Sequence, residues 1–122
     1  MTYKIYAIRV FTLKWDESLA FYRDTLEMPV TFHSDEMGWA QFDLGGCSLG
    51  LEKMDPSDDE SDALVGRFVG CSLEVEDIDA SFASLSAKGV EFLGSPEKQP
   101  WGGTLAHLKD PDGNVLTLLG GT

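Results

Sequence analysis

Apolar residues recur along this chain with two different periods. Every second position is apolar in stretches such as Tyr6-Ala-Ile-Arg-Val-Phe11, Trp39-Ala-Gln-Phe42, Cys47-Ser-Leu-Gly-Leu51, Cys71-Ser-Leu-Glu-Val75 and Val115-Leu-Thr-Leu-Leu119. Alternation of that kind sends successive side chains to opposite faces and predicts half-buried strands. Elsewhere the spacing widens to three and four residues. Trp15, Leu19, Tyr22 and Leu26 form one such stripe, and Ile78, Phe82 and Leu85 another; each predicts an amphipathic helix lying on a sheet. Asp16 and Asp77 stand at the helix starts as expected N-terminal caps, and Gly89 follows the second helix as a left-handed stop. Gly45-Gly46 and Asp112-Gly113 mark hairpin turns between alternating runs.

The order strand, acidic cap, helix, strand and then a strand pair about a Gly turn occurs twice. We therefore expect an α+β domain made of two tandem βαβββ modules, an eight-stranded curved sheet around a cleft with one helix outside each module. Module one spans 1–54, an acidic linker about 55–67, and module two 68–122, together a single domain. Ile8, Val10, Leu49, Leu51, Cys71, Leu73, Val75, Leu116 and Leu118 fall on the face under the helices, together with Cys47. The other face carries Ala7, Arg9 and Phe11; Ser48, Gly50 and Glu52; Gly70, Ser72 and Glu74; and Val115, Thr117 and Leu119. Small residues mixed with a few charges suit a cavity wall better than a core.

Composition adds exclusions. At 122 residues, 43% hydrophobic and 25% charged, the chain is an ordinary globular domain. The net charge of −12 argues against nucleic acid and anionic membrane surfaces, which both recruit Lys and Arg. Lys4 and Arg9 interrupt the first apolar run, so no leader or membrane span is read there and a cytoplasmic protein is expected. Cys47 and Cys71 lack C-x-x-C spacing and are expected as reduced thiols. The run Asp55, Asp58, Asp59, Glu60 and Asp62 has no Gly at the sixth position of a calcium loop and reads as a solvated linker. His33, beside Ser34 and Asp35, is expected to be an exposed residue without a role.

Ser18-Leu-Ala-Phe-Tyr-Arg-Asp-Thr-Leu26 with Pro29-Val30, then Val75-Glu-Asp-Ile-Asp79, then Asp110-Pro-Asp-Gly-Asn114 before a strand resemble the vicinal-oxygen-chelate superfamily. This is the glyoxalase, bleomycin-resistance and extradiol-dioxygenase family, and the resemblance runs over essentially the whole length. It implies the fold more sharply than the function, because that superfamily hosts lyases, epimerases, dioxygenases, thiol transferases and non-catalytic drug-binding proteins. Its metal-dependent members hold a divalent cation with one His, Glu or Gln from each of four strands. The matching positions here are Ala7, Gly50, Gly70 and Thr117. Three have no donor and a Thr hydroxyl is a poor one, so the resemblance implies no metal and no cofactor, and the three small residues leave room where the ion would sit.

The face then supplies Arg9, Phe11, Trp39, Gln41, Gly50, Glu52, Ser72, Glu74, Trp101, His107 and Thr117 as candidate ligand-binding residues. By resemblance to fosfomycin-resistance relatives, Arg9 and His107 match positions that touch ligand. Trp101, in the Gly94–Gly103 loop, is placed like a lid. Arg9 is a candidate anchor for an anion, with pairing to Glu74 or Glu52 as the competing role. The expected function is metal-independent binding of a small organic molecule, a drug or metabolite, in the cavity of the curved sheet, a reading that leans away from an enzyme without deciding it. The alternative is a metal-free or atypical-metal enzyme, lyase- or isomerase-like, using Glu74, Glu52 or His107 as acid or base. Exposed sheet edges, and the habit of relatives, lead us to expect a homodimer. Glu27 stands where the family usually has Gly after the first helix and is expected at positive φ.

Overall fold

The alternating run at the start forms β1 (Ala7–Thr12), which the chain leaves through α1 (Trp15–Ala20) and a π-helical turn (Phe21–Thr25). It then lays down β2 (Val30–Ser34), β3 (Trp39–Asp43) and β4 (Ser48–Lys53). These strands make a sheet in the order β1-β4-β3-β2. The hairpin neighbours run antiparallel, while β4 returns beside β1 in parallel, placing Arg9 against Gly50 and Phe11 against Glu52. A parallel partner needs a long crossover, and the helix supplies it. Val10, Ala40, Phe42, Leu49 and Leu51 are buried to 0% exposure on one face, with Trp15, Leu19 and Tyr22 packed there too. The Tyr22 and Phe42 rings lie 6.0 Å apart.

The computed structural model describes residues 1–121, and its backbone divides into the units Met1–Gly66 and Arg67–Thr122. In the second unit β5 (Phe68–Glu74) leads into α3 (Ile78–Ala87), then β6 (Glu91–Phe92), β7 (Glu97–Lys98), β8 (Thr104–Lys109) and β9 (Val115–Gly120). The order is β5-β9-β8-β6, with β7 also on β8 and β5 parallel to β9. Each unit thus repeats the same plan, and the two curved sheets have the architecture of two βαβββ modules.

Several details differ from expectation. Nine strands are present among the described residues rather than eight, because Gly94-Ser-Pro96 interrupts one strand and leaves β6 and β7 as two short pieces on β8. The strands form two hydrogen-bonded sheets, four- and five-stranded, not one. Asp16 does not cap α1: Lys14 holds the cap position without a side-chain bond, and Asp16 lies in the first turn. Instead the Thr12 hydroxyl accepts from the Lys14 N–H at 2.9 Å and bonds the buried Ser18 hydroxyl at 2.8 Å, tying strand end to helix start. Asp77 does cap α3, accepting from the Ala80 N–H at 3.0 Å, and Gly89 follows at φ 91°. Glu27 sits at φ 55°, the one non-Gly residue among those described in the left-handed region. Cys47 lies in the turn before β4 and is half-buried rather than a core strand residue, whereas Cys71 is buried. A short helix, α2 (Ser61–Leu64), forms inside the acidic run. No helix among the described residues is long and apolar enough to cross a membrane.

Candidate functional site

The face of the first sheet turned away from α1 is built in cross-strand rows. One row sets Arg9, Gly50 and Gln41 side by side, and the next sets Phe11, Glu52 and Trp39. Arg9 donates from Nε to Glu52 Oε1 at 3.1 Å, and its Nη2 lies 3.1 Å from the same oxygen in an ion pair. Its guanidinium lies 5.1 Å from the centre of the Phe11 ring. The pairing with Glu52 expected for Arg9 is present, and Arg9 keeps 57% of its side chain exposed. Glu52, as a candidate acid or base, is therefore committed to an ion pair.

Trp39 reaches diagonally from its own row onto Gly50. A Cβ built on Gly50 would come within 2.1 Å of Trp39 Cη2 and 2.7 Å of Cζ2. The indole is also held by its polar edge: Nε1–H donates to Gln41 Oε1 at 3.3 Å, where the Tyr6 hydroxyl donates as well at 3.3 Å, and Gln41 Nε2 donates to Ser48 Oγ at 3.0 Å. The space expected to stand open at Gly50 is filled by this ring.

The second unit offers a face of different chemistry. His107, Thr117 and Ser72 form one row, and His107 Nδ1 meets the buried Thr117 hydroxyl at 2.8 Å. The exposed Phe68 ring stands edge-on to the imidazole, 5.7 Å between centres. Glu74 lies one row further, opposite Leu119, and does not share the His107 row. Trp101 is at the tip of the turn between β7 and β8, where Gln99 N–H donates to Gly103 O at 2.7 Å. Its indole folds onto Gly103, whose Cβ would lie 2.1 Å from Trp101 Cζ3, with Leu119 beside it. The ring stays 61% exposed and rests on its own unit. Each unit thus carries a tryptophan seated on a glycine.

The positions that the resemblance assigns to a chelate do not fit a metal. Ala7, Gly50 and Gly70 bring no donor, and the Thr117 oxygen is engaged by His107. Gly70 also leaves the regular ladder. It has φ 75°, and the five residues Phe68 to Ser72 of β5 lie against the three residues Val115 to Thr117 of β9, a bulge that strict alternation does not predict. Among the described residues no cluster of three or more His, Cys, Asp or Glu is gathered to hold an ion.

Tyr6, Phe68 and Gly103 were not anticipated as face residues. Tyr6 precedes the first strand and shares the parity of the helix-side residues Ile8 and Val10, Gly103 lies in a loop where periodicity carries no signal, and Phe68 has the parity of Ser72. His33 is exposed, as expected, and it also has a partner. Its Nε2 lies 2.7 Å from Asp35 Oδ1, which also accepts from the Trp15 indole at 2.9 Å. Those two contacts, the indole first, hold the Asp35 carboxyl below the usual carboxylate range.

Comparison with known proteins agrees with this architecture. The protein YraH of Bacillus subtilis is 29% identical over 123 residues, covering 94% of this chain and 96% of its own. A bleomycin resistance protein of Klebsiella pneumoniae is 28% identical over 115 residues, covering 86% and 82%. Among solved structures, TnmS3, an antibiotic-binding protein of Streptomyces sp. CB03234, superposes with a TM-score of 0.80 at 26% identity, covering 99% of this chain and 98% of that one. The family model for the Glyoxalase/Bleomycin resistance protein/Dioxygenase superfamily matches residues 4–118, and the chain belongs to that superfamily.

Proposed function

We propose that this protein binds a small organic molecule on the open faces of its sheets, without a metal, in the manner of the drug-binding members of its superfamily. The observation that carries the reading is the replacement of donors by contact surface. The assigned chelate positions hold Ala7, Gly50, Gly70 and a Thr117 already bonded to His107, while Trp39, Trp101 and Phe68 supply aromatic area beside a few polar groups. That mixture is what small-molecule sites use: broad apolar contact for affinity, sparse polar groups for orientation. Arg9 is the anchor for an anionic or carbonyl group, held ready by Glu52, and His107 gives a second polar contact. The relatives named for bleomycin resistance and antibiotic binding support a drug or natural product as the ligand class. We further propose a homodimer acting in the cytoplasm, where the Cys47 and Cys71 thiols would stay reduced.

Thermal-shift measurement with metal-free bleomycin and a panel of natural products tests the reading. At least one compound should raise the melting midpoint, and EDTA should leave the rise intact. A panel without any stabilising compound, or stabilisation abolished by EDTA, would refute it. Light scattering that returns the 13.4 kDa chain mass at micromolar concentration would refute the dimer.

A further inference from the structure

We infer that Thr117 is a positioning residue that fixes the proton of the neutral His107 ring on Nε2, and that the N–H so presented selects an acceptor oxygen on the ligand, such as that of a ketone or carboxylate; the second clause rests on the ligand-binding reading above. His107 and Thr117 stand directly opposite each other on the antiparallel pair β8 and β9. Side chains so placed have Cβ atoms about 5 Å apart, a span that a Thr hydroxyl bridges to the nearer ring nitrogen, Nδ1, and not to Nε2. The contact is between Nδ1 and Thr117 Oγ1 at 2.8 Å. Thr is branched at Cβ and therefore stiff, and the Phe68 ring packs against the imidazole at 66° between planes. Both neighbours hold the ring in one orientation.

A contact between a hydroxyl and an imidazole nitrogen can carry its proton on either side, and burial decides which. Thr117 is 3% exposed, so its O–H has no access to bulk water, and a buried donor without an acceptor is costly. Among the described residues, His107 Nδ1 is the one hydrogen-bond partner of that hydroxyl. Were the ring proton on Nδ1, it would point at Oγ1, and the Thr117 O–H would have no acceptor. The satisfied arrangement has Thr117 donating and Nδ1 accepting, which puts the proton of the neutral ring on Nε2. Nε2 has no hydrogen-bond partner among the described residues and is not buried. The ring therefore shows an N–H to the open face. Arg9 on the first sheet likewise only donates. Both polar contacts of the proposed function thus ask the ligand for acceptor oxygens, and neither is met by an ammonium. The position that the resemblance assigns to a chelating side chain acts here on ligand choice through His107.

Nuclear magnetic resonance of protein with isotope-labelled histidine reads the proton directly. In alkaline buffer the His107 signals, identified by their loss in His107→Phe, should show a bare Nδ1 and a protonated Nε2; a proton on Nδ1 overturns the assignment. Thr117→Val keeps the shape without the hydroxyl and should move both nitrogen signals toward a mixture of tautomers, while Thr117→Ser restores them. Unmoved signals in Thr117→Val overturn the positioning role. Two probe cations test the ligand clause: N,N,N-trimethylanilinium with a para-acetyl or a para-isopropenyl group. They share shape and charge and differ by oxygen for methylene, and their ammonium group neither donates nor accepts a hydrogen bond. Wild type should bind the acetyl probe about tenfold more tightly, the worth of one hydrogen bond. Thr117→Val and His107→Phe should lose most of that preference, and Thr117→Ser should keep it. If Thr117→Val does not fold, the wild-type spectrum decides the tautomer and His107→Phe decides the preference. Equal binding of the two probes, no binding of the acetyl probe, or a preference kept in His107→Phe overturns the ligand clause. Ligand binding as such survives that failure if the thermal-shift panel yields a stabilising compound.

Discussion

Arg9 is the residue on which binding and stability make opposite predictions, and Arg9→Met separates them. Its guanidinium meets Glu52 Oε1 at 3.1 Å and lies 5.1 Å from the centre of the Phe11 ring. The pair is partly exposed, at 57% and 33% of the side chains, so water screens it and its contribution is about 0.5 kcal/mol. The largely exposed guanidinium over the buried Phe11 ring adds about 0.5 kcal/mol. Methionine keeps the stem and much of the contact with Phe11, so the substitution should cost at most about 1 kcal/mol. In a chain of this size that is a fall of about 4 °C in the melting midpoint. Binding should suffer more. If Arg9 holds an anionic group, its removal should weaken a screened anionic ligand at least tenfold, about 1.4 kcal/mol. Glu52→Gln sharpens the test, since it releases Arg9 from its competitor: affinity for the same anion should rise while the midpoint falls slightly. Isothermal titration and differential scanning calorimetry on the wild type, both single variants and the double variant give the full cycle. Unchanged affinity in Arg9→Met together with a midpoint loss above about 10 °C would show that Arg9 serves the fold alone.

Other sites give independent checks. Glu27→Gly, at φ 55°, should leave stability unchanged or raise it by up to about 1 kcal/mol, and urea unfolding that shows a clear loss would contradict this. Asp110→Ala should cost about 3 kcal/mol in the same assay. The buried carboxylate accepts from the N–H groups of Asp112 and Asn114 and from Asn114 Nδ2, each at 2.9 Å, and truncation strands those donors; a loss under about 1 kcal/mol would show that water replaces it. The Asp35 carboxyl is depressed chiefly by the Trp15 indole and then by His33. Its folded value therefore lies below its unfolded one, and its stabilisation is present above the ordinary carboxylate range and lost as pH falls through the lowered folded value. In a Trp39→Phe, Trp101→Phe background, Trp15 emission should change in that acid window, and Asp35→Asn should remove the change. Dialysed protein should carry no stoichiometric zinc, nickel, manganese or iron by mass spectrometry.

The fold was legible because it rests on periodicity and punctuation. The alternation that puts Val10, Leu49 and Leu51 in the core, the Asp77 cap and the Gly89 stop are local signals, and each element formed where its own residues required it. Glu27 was legible for the same reason, since the turn into Met28-Pro29 demands a left-handed residue whatever its side chain. The failures have a common physical origin as well. Asp16 looked like a cap, but Thr12 and Ser18 meet across six residues and tie the helix start to the strand end without it. Period-two counting ran straight through Gly70, because a bulge depends on the partner strand β9 and not on β5 alone.

The two Trp–Gly contacts carry this point to the candidate site. From sequence, Gly50 is an absence: a missing donor and an empty volume. In the folded unit it is half of a contact, and the other half, Trp39, lies eleven residues earlier on a different strand. Gly103 and Trp101 repeat the arrangement within one turn. Loss of a chelating side chain therefore does not leave a vacancy that a single substitution could refill. A glutamate placed at 50 would meet the indole before it met an ion, and regaining a chelate there would require removing Trp39 first. The Trp39 ring and the missing donor are one feature of the packing, so the ligand chemistry of this face has to be inferred from both residues together.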